Sequence, residues 1–192
     1  LVAGVCAEIF GSTRIVYQGT ELDFTPPWRR LSMLDALREY AGVDADALSI
    51  DELQAELERR MVESPEPLSW GLAVAQLFEA TCEEHLVQPT FVLDHPLEIS
   101  PLARARRGDG RLAERFEVYV CGMELGNAYS ELTDPLEQLD RFLAQRQTQG
   151  EAAHPLDVDF VRALGCGMPP TGGVGLGIDR LIMLLTDAAS IR

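Results

Sequence analysis

A chain of 192 residues with 46% hydrophobic side chains can bury one sizeable core, which excludes a disordered protein and favours a single domain. The net charge is −15 at pH 7, and all 16 basic residues are arginines. This balance argues against a nucleic-acid platform built from this chain alone, because phosphate neutralisation needs a basic face. No apolar run approaches the roughly 20 residues that a membrane-spanning helix needs, so we predict no membrane association.

The four cysteines are far apart and form no CxxC pair, and only His85, His95 and His154 could join them. These numbers argue against a zinc site. Scattered thiols are typical of a reducing compartment, so we predict a cytoplasmic protein. The sequence begins with Leu1 rather than methionine and has no signal-peptide pattern, which suggests a piece of a longer protein.

The first half of the sequence predicts a hairpin and several helices. Residues 15–24 form the predicted hairpin, with Gln18-Gly19 as its turn. Ser32 has Asp35 three residues later in capping-box position, which predicts the start of a helix. Pro65-Glu66-Pro67 predicts a loop. The helices predicted in this half lie at about residues 1–10, 32–41, 51–62 and 71–85.

The second half changes to strands. The strands predicted there lie at about residues 90–93, 115–120, 124–131 and 173–177. Asp134-Pro135 and Asp157 predict helix starts, with Gly150 in a polar linker between the two helices. The apolar face predicted for the first of these helices consists of Leu136, Leu139, Phe142 and Leu143. Helices followed by antiparallel strands predict an α+β fold, an antiparallel β-sheet flanked by helices.

A glycine-rich segment near the end of the chain is the most informative local feature. Gly173, Gly175 and Gly177 leave one face of an extended segment without side chains, so a flat ligand or another backbone can lie against it. The apolar run that follows predicts a buried helix with Arg180 in its first turn. An arginine beside a positive helix end suits phosphate oxygens. The alternative interpretation is a glycine-rich turn that leads into a core helix and has no ligand, with Arg180 on the surface.

Glu117 and Glu124 lie on adjacent predicted strands joined by a tight turn. Two carboxylates near a glycine strand and an arginine suit Mg²⁺ that is bridged to the phosphates of a nucleotide. By pattern alone, two solvated glutamates on an exposed sheet face are the commoner case.

The strand that begins at Glu124 carries further polar residues, but regular alternation would not place all of them on one face. Asn127, Tyr129 and Glu131 share one face under period-2 alternation, and Glu124 does not. If all four residues serve one pocket, the strand must be irregular between 124 and 127. Gly126 is the natural place for a bulge.

Tyr129 and Glu131 together offer an aromatic wall and a carboxylate, which suits an aliphatic chain that ends in an ammonium group. Asn127 could donate to a carboxylate at the other end of such a ligand. The alternative places Tyr129 at the edge of the core and Glu131 in solvent.

Taken together, these residues are more specific than any of them singly. The segments in question are SPLAR at 100–104, RFE at 115–117, ELGNAYSELTD at 124–134 and GMPPT at 167–171, which leads into the glycine run. They resemble the C-terminal part of the catalytic domain of the class II lysyl-tRNA synthetases, in which the glycine run with Arg180 is called motif 3. Segments 23–28 and 88–91 extend the resemblance, so that it covers residues 1–192. The resemblance implies a helical insertion at about 32–86, with the sheet and motif 3 at about 87–192.

The family activates lysine with ATP to lysyl-adenylate and then esterifies tRNA(Lys). By this resemblance, the residues that bind ATP are Glu117, Glu124, Gly173, Gly175, Gly177 and Arg180. Among them, Glu117 and Glu124 would hold Mg²⁺, and Arg180 would be the catalytic arginine that clamps the terminal phosphate. The residues implied for lysine are Asn127, Tyr129 and Glu131. The related aspartyl enzymes carry an arginine in place of Glu131, so a glutamate there favours a cationic substrate.

Parts of the family pattern have no counterpart in these residues. Motif 1, motif 2 with its Phe-Arg-x-Glu pattern and the anticodon-binding barrel are not found. We therefore expect the full enzyme to be a homodimer that reaches tRNA(Lys) through domains outside this sequence, and we expect this chain alone to be inactive. Two alternatives stay open: a paralogue that lysylates elongation factor P, and a non-catalytic module derived from a synthetase.

Overall fold

The structure is a computed structural model, and it describes residues 1–64, 67–149 and 155–191. Several residues named above lie outside the described part. They are Pro65 and Glu66 of the predicted loop, Gly150 of the predicted linker, and His154.

The chain forms a hairpin and a separate five-stranded sheet. Its strands are β1 (Arg14–Tyr17), β2 (Thr20–Asp23), β3 (Arg29–Ser32), β4 (Thr90–Leu93), β5 (Arg115–Val120), β6 (Met123–Ser130) and β7 (Gly172–Leu176). β1 pairs with β2, and the sheet has the order β3-β4-β5-β6-β7. The β3–β4 pair is parallel and the other three pairs are antiparallel. The predicted α+β fold with a mainly antiparallel sheet is therefore confirmed. β3 escapes sequence prediction because its four residues contain one apolar side chain, Leu31.

Seven α-helices surround these strands within the described ranges. They are α1 (Val2–Phe10), α2 (Met33–Ala36), α3 (Ile50–Arg59), α4 (Trp70–Thr81), α5 (Pro135–Gln149), α6 (Val158–Gly165) and α7 (Ile178–Thr186). As predicted, the Ser32 side chain accepts a hydrogen bond from the backbone N–H of Asp35. α2 continues as a π-helical turn and ends at Gly42, whose positive φ suits glycine. In the described part of the chain, none of the helices is long and apolar enough to cross a membrane.

The two faces of the sheet are covered by different parts of the chain. Helices α2 to α4 connect β3 to β4, and their apolar side chains pack in one cluster with Leu31, Val92 and Tyr119 of the sheet. On the opposite face, Val118 and Val120 pack with α1, the hairpin and α7. The helical cluster contains residues of β3, β4 and β5 but none of β6 or β7. The face that carries Tyr119 is therefore covered by helices over β3, β4 and β5, and it lacks this cover over β6 and β7. The division into a helical insertion and a sheet region near residue 86 stays a prediction.

The predicted apolar helix faces are only partly buried. Leu136 and Leu143 of α5 are exposed, whereas Leu139 and Phe142 of the same predicted face are half-buried. α5 instead buries Gln138, whose side-chain amide donates to the Pro101 carbonyl. On α7, Leu181, Met183 and Leu184 are buried as predicted, whereas Ile178 and Ile182 are exposed.

The predicted irregularity in β6 is confirmed. Val118 pairs with Gly126 and its neighbour Tyr119 pairs with Glu124, so Leu125 is an extra residue on β6. One extra residue reverses the alternation of side chains along a strand. The bulge therefore brings Glu124 to the same face as Asn127.

Gly126 allows β6 and β7 to approach closely. A Cβ at this position would lie 2.8 Å from the carbonyl oxygen of Gly175, a backbone atom that cannot rotate away. We expect Gly126→Ala to lower the free energy of unfolding by about 1–3 kcal/mol, measured by urea unfolding of the full-length protein. Gly4→Ala is the matched control, because a Cβ there meets nothing within 4 Å. Gly4 lies in the first turn of α1, so alanine there should stabilise by no more than about 0.5 kcal/mol. Equal effects of the two substitutions would contradict this account of the bulge.

Candidate active site

The bulge assembles one polar surface on the open face of the sheet. Opposite residues in a β-ladder share a face, and the pairs here are Glu117 with Asn127 and Tyr119 with Glu124. Arg115 and Tyr129 form the next pair on the same face. The structure thus brings together the strand residues that the sequence suggested for one pocket.

Glu117 is the most constrained carboxylate of this surface. It is 7% exposed, which contradicts the alternative of a solvated glutamate. Arg115 donates to its Oε1, and the Tyr119 hydroxyl donates to its Oε2 at 2.8 Å. Each carboxylate oxygen can accept more than one contact, so these bonds orient Glu117 and leave lone pairs for a cation.

Arg115 connects Glu117 to Asn127. Its Nε donates to Asn127 Oδ1 at 3.2 Å, and its Nη1 donates to Ser100 Oγ at 3.0 Å. With its oxygen held in this way, Asn127 keeps its amide NH₂ group as a donor. The sequence placed Arg115 in a segment of the resemblance but assigned it no role, because a clamp between two side chains appears only in three dimensions.

Arg180 and Glu124 meet at the other end of the surface. The Arg180 guanidinium donates to the backbone carbonyl of Glu124, and its Nη1 lies 3.9 Å from Glu124 Oε2. Arg180 is in the first turn of α7, whose N-cap residue Gly177 provides no side-chain cap. Uncapped backbone N–H groups and a guanidinium at a helix N-terminus suit phosphate oxygens.

The two carboxylates fit a divalent cation. Burial raises the pKa of Glu124, and the nearby negative charge of Glu117 raises it further. A cation between them would relieve this repulsion, and oxygen ligands are those that Mg²⁺ prefers. Across the described ranges, no group of three or more His, Cys, Asp or Glu side chains could hold a metal ion. The remaining ligands would therefore be waters and phosphate oxygens, as is usual for Mg²⁺.

Glu131 lies one residue beyond β6, where its N–H donates to the Thr171 carbonyl. Its carboxylate is half-buried, and burial raises its pKa. None of the ion pairs formed within the described part of the chain involves this carboxylate. Tyr129 is also half-buried, and both burial and the Glu131 charge raise the pKa of its hydroxyl. This end of the surface therefore carries an unneutralised carboxylate beside an aromatic ring.

β7 supplies the part of this surface that has no side chains. Gly173 pairs with Tyr129 and Gly175 pairs with Asn127, so both glycines lie on the polar face. Gly177 follows β7 and caps α7. The extended conformation predicted for the glycine run is confirmed.

Glu83 is a member of the site that the sequence analysis missed. It lies in the 3₁₀ turn after α4, and its Oε1 is 3.0 Å from the Tyr119 hydroxyl, whose single proton it shares with Glu117 Oε2. Burial raises the pKa of Glu83, and the negative charges of Glu79, Glu117 and Glu124 raise it further. Pattern reasoning could not find it, because its distance from the sheet depends on how the helices pack. It lines a cavity of about 230 Å³ together with Tyr119, Gly122, Met123, Glu124 and Arg180.

The chain belongs to the family of tRNA synthetases class II (D, K and N), which it matches over residues 1–192. It is 48% identical over 196 residues to the lysine--tRNA ligase of Thermoanaerobacter sp. (strain X514). It is 49% identical over 199 residues to the lysine--tRNA ligase of Clostridium perfringens (strain 13 / Type A). The resemblance found in the sequence is therefore confirmed.

These relatives are considerably longer proteins. The alignments cover 100% of this chain but 39% of the Thermoanaerobacter protein and 40% of the Clostridium protein. The site described above therefore corresponds to a part of each relative.

His95 lies against Glu117 and provides a test of burial at this site. Its Nε2 is 4.0 Å from Glu117 Oε2, and burial lowers its pKa from 6.5 to about 4. In the unfolded chain this histidine binds a proton near its ordinary pKa of 6.5, whereas in the folded chain it does so only near pH 4. Between these two pH values, unfolding is therefore accompanied by uptake of a proton. We expect the stability contribution of His95 to be complete above this window and to be lost as the pH falls through it, by roughly 3 kcal/mol in total.

Urea unfolding of the full-length protein at pH 7 and at about pH 5 would measure roughly 2 kcal/mol of this loss. His95→Gln is the comparison, because it removes the imidazole and leaves the carboxyl groups, which also titrate in this range. The free energy of unfolding of the variant should fall less between the two pH values. An equal fall in both proteins would contradict the neutral, buried state of His95.

Proposed function

We propose that this chain is part of an enzyme that activates lysine with ATP and transfers it to tRNA(Lys). The observation that carries the proposal is the Glu131 carboxylate, half-buried and unneutralised beside Tyr129. A carboxylate in this setting selects a cationic group and repels an anionic one. The name of the relatives, lysine--tRNA ligase, supports the same substrate.

Lysine would lie along β6. Its ammonium group would pair with Glu131, and its aliphatic chain would pack against Tyr129. Its carboxylate would accept from the Asn127 amide, which Arg115 orients through the oxygen of that amide. The two ends of the substrate would then contact Asn127 in β6 and Glu131 just beyond the end of that strand.

ATP would lie across the glycine strand, at the end where Arg180 and Glu124 meet. Gly175 leaves space over β7, Gly177 opens the N-terminus of α7, and Arg180 would bind the terminal phosphate. Glu117 and Glu124 would hold Mg²⁺, which neutralises the charge of the phosphates when it is bound. The lysine carboxylate would attack the α-phosphorus and pyrophosphate would leave, so the role of these residues is to hold both reactants in line.

The tRNA(Lys) enzyme and the elongation factor P lysyltransferase would share this first step and differ in the acceptor of the lysyl group. A lysyltransferase acting on elongation factor P would use the same lysine and ATP sites, and the intact set of Gly173, Gly175 and Gly177 favours the tRNA enzyme. Transfer assays with tRNA(Lys) and with elongation factor P separate them. We further propose that the full enzyme is a cytoplasmic homodimer.

Replacing Glu131 tests the assignment of lysine. In the full-length enzyme, Glu131→Gln should raise KM for lysine by about 10-fold to 100-fold in ATP–pyrophosphate exchange, because a hydrogen-bonded charge pair is lost. KM for ATP should change little. Glu58→Gln, on the exposed side of α3, is the matched control and should alter neither constant. Equal changes in the two KM values would refute the role of Glu131.

The 192-residue chain on its own should not catalyse lysine-dependent ATP–pyrophosphate exchange. It spans about two-fifths of the length of its relatives. The residues that face this surface from the rest of those proteins would be lacking, and with them much of the positioning effect, worth roughly 7–11 kcal/mol. Exchange by the chain alone at the rate of the full-length enzyme would contradict this expectation. A full-length protein without exchange would indicate the non-catalytic module instead.

A further inference from the structure

One of the glycines in β7 differs from its neighbours in what it faces. A Cβ built at Gly173 would lie 2.3 Å from Oε1 of Glu131 and 3.5 Å from its Cδ. A Cβ at Gly172 would lie 3.8 Å from the Tyr129 carbonyl oxygen, and one at Gly175 would lie 3.7 Å from that of Asn127. The last two distances are ordinary van der Waals contacts. The first is shorter than real contacts allow, so the Glu131 carboxylate occupies the volume in which a side chain at 173 would begin.

The strand register explains this contact. Gly173 pairs with Tyr129, and Glu131 follows two residues later on the same side of the chain. The N–H of Glu131 donates to the Thr171 carbonyl, so the two segments stay side by side where β6 ends and β7 begins. The Glu131 carboxylate thus lies over Gly173, because that residue offers no atom beyond its backbone.

We propose that Gly173 is a positioning residue for the amino-acid substrate: its missing Cβ makes the space in which the Glu131 carboxylate stands. The proposal rests on the role of Glu131 in lysine binding, and it moves Gly173 from the ATP-binding set to the lysine side of the site. A methyl group at 173 would displace that carboxylate while the strand itself stays intact. The obstructing atom is the end of a flexible side chain, and Gly173 does not have a positive φ.

Gly173→Ala in the full-length enzyme tests the proposal. We expect a Kd for lysine, measured by calorimetry without ATP, that is about 10-fold to 100-fold higher, since a displacement of about 1 Å can have such an effect. KM for ATP in pyrophosphate exchange should stay within about twofold of the unchanged enzyme, because Gly173 contacts the Glu131 side chain. Gly172→Ala is the matched control, because it adds the same methyl group to the neighbouring residue at an ordinary contact distance.

Two outcomes of this experiment would overturn the proposal. An increase in KM for ATP with an unchanged Kd for lysine would make Gly173 part of the nucleotide site. A Gly173→Ala protein that fails to fold, or melts far below Gly172→Ala, would mean that the glycine is required by the strand rather than by Glu131.

A double-mutant cycle separates this proposal from the proposed function. If Gly173 acts through Glu131, then Gly173→Ala should weaken lysine binding in the unchanged enzyme and add nothing in the Glu131→Ala background. Additive losses would show that Gly173 acts independently of Glu131, and would leave the lysine assignment standing. An unchanged Kd for lysine in Glu131→Ala would instead refute the proposed role of Glu131, and the proposal for Gly173 with it.

Discussion

The extra residue in β6 decides which side chains share the open face of the sheet. With Leu125 out of register, Glu124 falls on the same face as Asn127 and Tyr129, where it pairs with Tyr119 and lies on the same side of the sheet as Glu117. A regular strand would send Glu124 to the face that packs against α1, the hairpin and α7, where a carboxylate would be buried among apolar side chains. Gly126 makes the bulge compatible with β7, because it lets the Gly175 carbonyl approach.

The charged side chains on this face are distributed unevenly between its two ends. At one end of this face, Arg115 and Arg180 lie close to Glu117 and Glu124, and they partly offset the mutual repulsion of the two carboxylates. At the other end Glu131 is left without a cation in the described part of the chain. The proposed function follows from this asymmetry, since one end suits phosphates with a metal ion and the other suits an ammonium group.

The sequence predicts the parts of this site that depend on local periodicity. The α+β fold, the glycine strand and the bulge all follow from it, the last because Glu124 is out of phase with Asn127. What it misses depends on packing between distant segments. Glu83 reaches the site from the turn after α4, and Arg115 links two residues across a ladder. Likewise, the strand pattern shows that Gly173 adds no side chain to this face, but it does not show that the Glu131 carboxylate fills the space above Gly173.

A crystal structure of the full-length protein with lysine and a non-hydrolysable ATP analogue would show directly whether lysine lies along β6 with its ammonium group at Glu131. We expect the lysine ammonium within hydrogen-bond distance of the Glu131 carboxylate, and its α-carboxylate next to the Asn127 amide. We also expect the terminal phosphate beside Arg180. Lysine bound away from β6, or with its ammonium group directed at Glu117 and Glu124, would contradict this arrangement.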